Sequence, residues 1–344
     1  MIFISLRLIK CLKLKILPYF KEKRSTRDTL KALIIRPSAL GDTLLLAPAF
    51  HQLADKVELV LAGRKPGIDF LRHFLADCLD FDKKGWHSLF LKEPLCDELF
   101  IPDVDMAVSF FSDPEGRAKK ALKKCLKHVP IFWFPPFPPQ EDKIHVALYL
   151  ASCLKKSGLP IDPEKAIKEA KAMPIIGKDN TLGSSEYTLV LHPGSGSKKK
   201  NHPPEFWIEL ISDKYIERFH KRILLLGPAE REQDQIFISE LPKKGIEIIC
   251  SPDKDRLLLL LQKSSFYIGH DSGITHLAAM LGIPTICLFR NSNPLQWAPL
   301  GPHVTIISDS KSRRVIFKKI KEALRTCMVT SNATPDNSCS SYFL

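Results

Sequence analysis

The chain has no long hydrophobic run. Lysine and arginine interrupt every apolar stretch of the first 27 residues, and none approaches the roughly 20 apolar residues of a membrane-spanning helix. A clean apolar region with a small-residue cleavage site is also missing, which argues against a secretory signal. No Gly-x-Gly-x-x-Gly follows the first strand, so a nicotinamide enzyme would lack its pyrophosphate turn. Gly-x-Ser-x-Gly is absent too, leaving Ser195 without the elbow of a hydrolase nucleophile. Nine cysteines occur without a Cys-x-x-Cys pair, and the eleven histidines show no metal-ligand spacing. Free thiols in a reducing cytosol fit that pattern better than a disulfide framework or a zinc site.

What is present points to a soluble two-domain α/β protein. A length of 344 residues is enough for two cores. The net charge is +13, but residues 1–27 hold eight basic side chains against one acid, Glu22, so seven of the thirteen positive charges precede the first strand. The rest of the chain carries only a modest surplus and no base-stacking motif, which excludes nucleic acid as the expected partner. The basic leader reads either as a segment lying on an anionic membrane surface or as a disordered extension. Pro135–Pro139, rich in proline, reads as a stiff surface turn.

Short apolar runs alternate with helical patterns. Strands are expected at 32–36, 57–62, 105–110 and 129–134, with helices from about Thr43, over 115–127 and over 143–158. The alternation restarts after a polar stretch, with strands at 187–192, 222–226, 246–250 and 285–289 and helices over 204–219, 230–241 and 255–263. Such alternation implies parallel sheets covered on both faces. The expected division is a basic extension (1–28), a Rossmann-like domain (29–176), a linker (177–186), a second Rossmann-like domain (187–310), an amphipathic helix (311–326) and a disordered tail (327–344).

Four segments carry candidate chemistry. In Tyr267-Ile-Gly-His-Asp-Ser-Gly-Ile-Thr-His276, an apolar strand runs through a small-residue turn into a helix, which gathers exposed amides suited to phosphate. Asp271, Ser272 and Thr275 add oxygens that either cap those amides or meet a ribose. In Leu191-His-Pro-Gly-Ser-Gly-Ser-Lys-Lys-Lys200, Gly194 and Gly196 leave amides open beside three lysines, which suits a diphosphate or is simply a solvated basic loop. In Arg36-Pro-Ser-Ala-Leu-Gly-Asp42, the aspartate is either a helix cap or a reactive carboxylate at a strand's carboxyl end. In Leu226-Gly-Pro-Ala-Glu230, the acid is either a dipole-favoured first-turn residue or a hydroxyl acceptor.

Taken with Gly282-Ile-Pro-Thr285, these strings resemble the signatures of glycosyltransferase family 9, the ADP-heptose:lipopolysaccharide heptosyltransferases. The resemblance implies a GT-B architecture, two Rossmann-like domains facing across a cleft. It implies inverting transfer from a nucleotide sugar, ADP-heptose first among the candidates, to a lipid-linked lipopolysaccharide core acceptor at the cytoplasmic face of the inner membrane. Metal and other cofactors are not implied. Carried over residue by residue, Asp42 is the general base and Lys200 meets the diphosphate. Gly194, Ser195, Gly196, Glu230, Asp271, Ser272, Gly273, Thr275 and His276 bind the donor. The chain departs from the family pattern at His202, where tryptophan is usual, and at Arg290, Asn291 and Asn293, where Gly, Pro and Asp are usual. Those departures keep two alternatives open: another donor or acceptor on the same fold, or a homologue that binds without transferring.

Overall fold

The computed structural model describes residues 29–83, 85–177, 187–227, 238–239, 241, 245–309 and 312–332. The basic leader, nearly all of the 177–186 segment, Glu230 with most of the helix expected around it, and the end of the tail lie outside these residues.

Apolar runs buried on both faces pair into two parallel sheets, the pattern expected where helices cover both sides. The first contains β1 (Leu30–Arg36), β2 (Val57–Gly63), β3 (Asp77–Asp80), β4 (Met106–Ser109) and β5 (Ile131–Trp133), in the order β3-β2-β1-β4-β5. The second contains β6 (Thr188–His192), β7 (Lys221–Leu226), β8 (Ile246–Cys250), β9 (Phe266–His270), β10 (Thr285–Phe289) and β11 (Val304–Ser308), ordered β11-β10-β9-β6-β7-β8. The chain divides into two compact units. One takes in the described residues up to Asp142 with Val146–Ile167, and the other Lys143–His145 with the described residues from Lys168 onward.

Each unit has its own core. Leu33, Ile35, Val60, Leu79, Trp86 and Leu122 pack together in the first. In the second, Leu191, Phe206, Trp207, Ile268, Phe317 and Ile320 do so. Within each sheet the strand order reverses once, between β1 and β4 and between β6 and β9. Ligands of open parallel sheets bind outside the carboxyl ends of the strands at such a reversal. Both positions are occupied by segments singled out above.

Several elements differ from the sequence expectations. The helix from Pro204 stops at Ile211, before a 3-10 turn at Ile216–Arg218. The last helix runs Arg313–Asn332, beyond the 311–326 expected, and Ile316, Phe317, Ile320 and Leu324 bury its apolar face. β3 and β11 went unread: β3 offers little apolar sequence and buries only Leu79, whereas β11 was legible in its Val304-Thr-Ile-Ile307 run although only Ile307 is buried. The expectation of free thiols is corrected at Cys96 and Cys125, which form a disulfide. The turn Cys96–Glu98 meets the end of helix Arg117–Cys125 with Cα atoms 5.0 Å apart, within bridging range. A separation of 29 residues hides that pairing from spacing rules.

Candidate functional site

In the second unit the loops after β6 and β9 flank the strand-order reversal. After β6 the chain passes through Gly194-Ser-Gly196 into one 3-10 turn, Lys198–Lys200. Gly194 is buried and Gly196 exposed; a Cβ at 196 would meet nothing within 4 Å, so packing does not demand glycine there. Ser195 shapes the loop: its hydroxyl lies 2.6 Å from Asn201 Oδ1 and 2.9 Å from Ser197 O, and accepts the Ser197 N–H at 3.3 Å.

After β9, Ser272 rather than Asp271 caps the helix Gly273–Met280, accepting the Thr275 N–H through its hydroxyl. Thr275 is fully buried, and its hydroxyl donates to His270 O while lying within 3.1 Å of Tyr267 Oη and 3.0 Å of Ser272 Oγ. Its oxygen therefore holds the strand-to-helix turn together. Gly282, at φ +78°, ends this segment in the left-handed conformation that glycine adopts without strain.

Asp271 and Lys200 join the two loops. Lys200 Nζ donates to Asp271 Oδ2 at 2.7 Å and lies 5.9 Å from the Trp297 ring centroid, within cation–π range. His276 Nε2 approaches the other oxygen, Oδ1, at 3.7 Å. The Asp271 side chain is only 4 % exposed. Burial alone would raise its pKa, but His276 and Lys200 reverse that and hold it at about 2. Lys200 is the closer of the two partners. His276 is also buried, and its Nδ1 has no hydrogen-bond partner among the described residues.

His270, the last residue of β9, is a strut between the loops. Its Nδ1 lies 2.8 Å from Pro193 O and its Nε2 accepts the His202 N–H at 2.8 Å. That arrangement requires a neutral ring with the proton on Nδ1. Burial, with the neighbouring His202, pushes its pKa down to about 3 and so keeps it neutral. His202, where the family pattern has tryptophan, stacks on Phe206 with ring centroids 4.0 Å apart and planes inclined by 11°.

The other replaced residues also have defined contacts. Arg290 donates from Nη1 to Asn201 O at 2.5 Å and from Nε to Asp309 Oδ2 at 3.1 Å. Asn291 Nδ2 donates to Lys199 O at 2.7 Å. Asn293 caps the short helix Pro294–Trp297 through the Leu295 N–H, a role Asn and Asp fill comparably.

In the first unit, Asp42 lies at the carboxyl end of β1, beside its reversal with β4. It is half-buried and sits inside helix Leu40–Leu44, whose N-cap is Ala39 with no side-chain cap bond. The cap alternative for Asp42 is thereby removed. Arg36, fully buried, donates from Nε to the Asp42 carbonyl at 2.9 Å and from Nη1 to Pro136 O at 2.8 Å. Burial lowers its pKa to about 10, although the Asp42 charge opposes the shift.

The structure thus brings together Lys200, Asp271 and His276, together with the loops that hold Gly194, Ser195, Gly196, Ser272 and Gly273. Asp42 belongs to the other unit, and Glu230 lies outside the described residues. Among the described residues, no group of three or more His, Cys, Asp or Glu side chains is placed to hold a metal ion. No described helix is long and apolar enough to cross a membrane. Sequence reasoning missed the roles of His270, Arg290 and Asn291. His270 left a signal as a polar side chain ending a strand, and Arg290 and Asn291 as departures from the family pattern, without showing what they contact.

The profile of glycosyltransferase family 9 (heptosyltransferase) matches residues 141–325. A lipopolysaccharide heptosyltransferase 1 from Campylobacter coli is 25% identical over 126 residues, covering 35% of this chain and 36% of that relative's length. A solved family 9 glycosyl transferase from Veillonella parvula superposes with a TM-score of 0.65 at 16% identity, over 88% of this chain and 98% of that one. The E. coli heptosyltransferase WaaC with ADP gives a TM-score of 0.60 at 15% identity, over 86% and 100% of the two chains. These likenesses establish the two-sheet α/β fold, and the profile covers more than half of the sequence. The chain belongs to glycosyltransferase family 9, the heptosyltransferase family.

Proposed function

We propose that this chain is an inverting glycosyltransferase that moves a heptose or related sugar from a nucleoside-diphosphate donor, ADP-heptose, to a lipid-linked lipopolysaccharide core acceptor. The observation that carries this function is the Lys200–Asp271 contact at the β6/β9 reversal. A lysine held by a buried carboxylate stands where two loops present backbone amides, at the place where such sheets bind nucleotides. The open space before Gly196 allows a phosphate to approach the main chain. Solved with ADP, the WaaC structure shows that a protein of this fold holds that nucleotide.

In the proposed reaction Asp42 takes the proton of an acceptor hydroxyl, and its oxygen attacks the anomeric carbon. The bond from that carbon to the diphosphate oxygen breaks, and ADP departs with the electron pair. Lys200 and the amides near Ser272 offset the charge that develops on the leaving group. General-base assistance of this kind supplies typically ~10²–10⁴-fold in rate. Asp42 lies outside the residues matched by the family profile. Its role is supported by the Ser38-Ala-Leu-Gly-Asp42 string and its position at the β1/β4 reversal. Titrating ADP into the parent and Lys200→Ala tests the donor site: the variant should bind ADP at least tenfold more weakly. Equal affinity would place the nucleotide elsewhere.

A further inference from the structure

Lys200 is carried by a single 3-10 turn, and the main-chain carbonyls on either side of it are both tied to the end of β10. Asn291 Nδ2 holds Lys199 O at 2.7 Å and Arg290 Nη1 holds Asn201 O at 2.5 Å. The turn's own backbone bonds are Lys200 N–H to Ser197 O at 2.9 Å and Asn201 N–H to Lys198 O at 3.1 Å. Those bonds close the turn on itself without fixing it to the sheet.

Arg290 in turn is anchored. Its Nε donates to Asp309 Oδ2, and the Asp309 N–H donates to Phe289 O at 2.7 Å where β10 and β11 end. A run of contacts therefore connects the sheet edge through one guanidinium to the Asn201–His202 peptide, whose N–H His270 Nε2 also holds, while Asn291 holds the Lys199–Lys200 peptide. The exposed Arg290–Asp309 pair contributes little energy by itself. Its geometry fixes where the arginine fork points.

We infer that Arg290 and Asn291 are positioning residues that set the lysine turn so that Lys200 meets the donor diphosphate. The glycine and proline usual at these two places have no side-chain donor and could not form this latch. It also accounts for two of the substitutions that otherwise suggest a damaged pocket. The premise is the donor-site function proposed above.

A double-mutant cycle read by ADP calorimetry tests the latch. Arg290→Ala in the parent should weaken ADP about tenfold, within the range for coupled neighbours, while thermal unfolding shows a folded protein. In the Lys200→Ala background the same change should have almost no further effect, because the latch acts only through Lys200. A general structural role would cost the same factor in both backgrounds, and additivity therefore overturns the latch. No loss with Arg290→Ala in the parent overturns it as well. Should Arg290→Ala fail to fold, Asn291→Ala, at an exposed side chain, carries the same cycle with the same expected coupling. If Lys200→Ala itself binds ADP like the parent, the donor-site function fails and takes the latch with it. If Lys200→Ala weakens ADP but the cycle is additive, the latch alone fails.

Discussion

Lys200 and Asp271 come from loops 71 residues apart and meet at 2.7 Å, so neither side chain's state is set by its own segment. Lysine charge was legible in the sequence as a run of three, from which the resemblance singled out Lys200; its pairing with Asp271 was not, because that depends on how two distant loops pack. Asp271, one of the oxygens read as a cap or a ribose contact, proves to be the counter-charge. The cap is Ser272. The pairing has a consequence in acid. Because the folded pKa of Asp271 is depressed to about 2, its contribution to stability is present above the unfolded value near 3.8 and lost as pH falls from there through about 2. Lys200→Met removes one of the two partners holding that pKa down, so the folded pKa moves up toward the unfolded value: the variant should be less stable than the parent above about pH 4, and the gap should narrow as pH falls because the variant has less of this stability to lose. Thermal unfolding followed between pH 5 and 2 reads this directly. Superimposable pH profiles would mean that Lys200 does not hold the carboxylate. For Asp42, which lies inside its helix and not at the N-cap, Asp42→Asn should lower transfer at least a hundredfold while leaving ADP affinity and folding near the parent's. Substantial transfer by the Asn variant would remove Asp42 as the base.

The elements beside the site were read more securely than the contacts between them. β6, β9 and β10 are buried along their whole lengths with apolar centres, and Gly282 marks the helix end as expected. The edge strand β3 escaped notice for lack of apolar residues, and the Cys96–Cys125 bridge because cysteine spacing carries no information about packing. At Gly301, after the short helix Pro294–Trp297, a Cβ would overlap the Ala279 backbone. Gly301→Ala should therefore destabilise the protein by about 1–3 kcal/mol through overpacking, measurable by urea unfolding. Ser272→Ala should cost about 1 kcal/mol through the lost cap and loosen the amides that face the proposed phosphate. Unfolding midpoints equal to the parent's in both variants would contradict this packing.

At the scale of the molecule, strand alternation alone made the two parallel sheets legible, and the strand orders add where each can bind a ligand. Charge asymmetry was equally plain from composition: seven of thirteen net positive charges fall in the first 27 residues. Basic residues near an anionic bilayer contribute about 1 kcal/mol each, and salt screens them. Deleting residues 1–27 should abolish low-salt flotation with anionic liposomes while leaving transfer to a soluble acceptor fragment unchanged. Equal flotation of both forms would move the contact to another surface, the basic face of helix Arg313–Asn332 first. The central claim is sugar transfer itself. The direct measurement is mass spectrometry of a heptose-free core acceptor after incubation with the protein and ADP-heptose. The account predicts an acceptor heavier by one heptose with the parent and an unchanged acceptor with Asp42→Asn. An unchanged acceptor with a parent protein that binds ADP would contradict it, and would mark the chain as a binding homologue on a transferase fold.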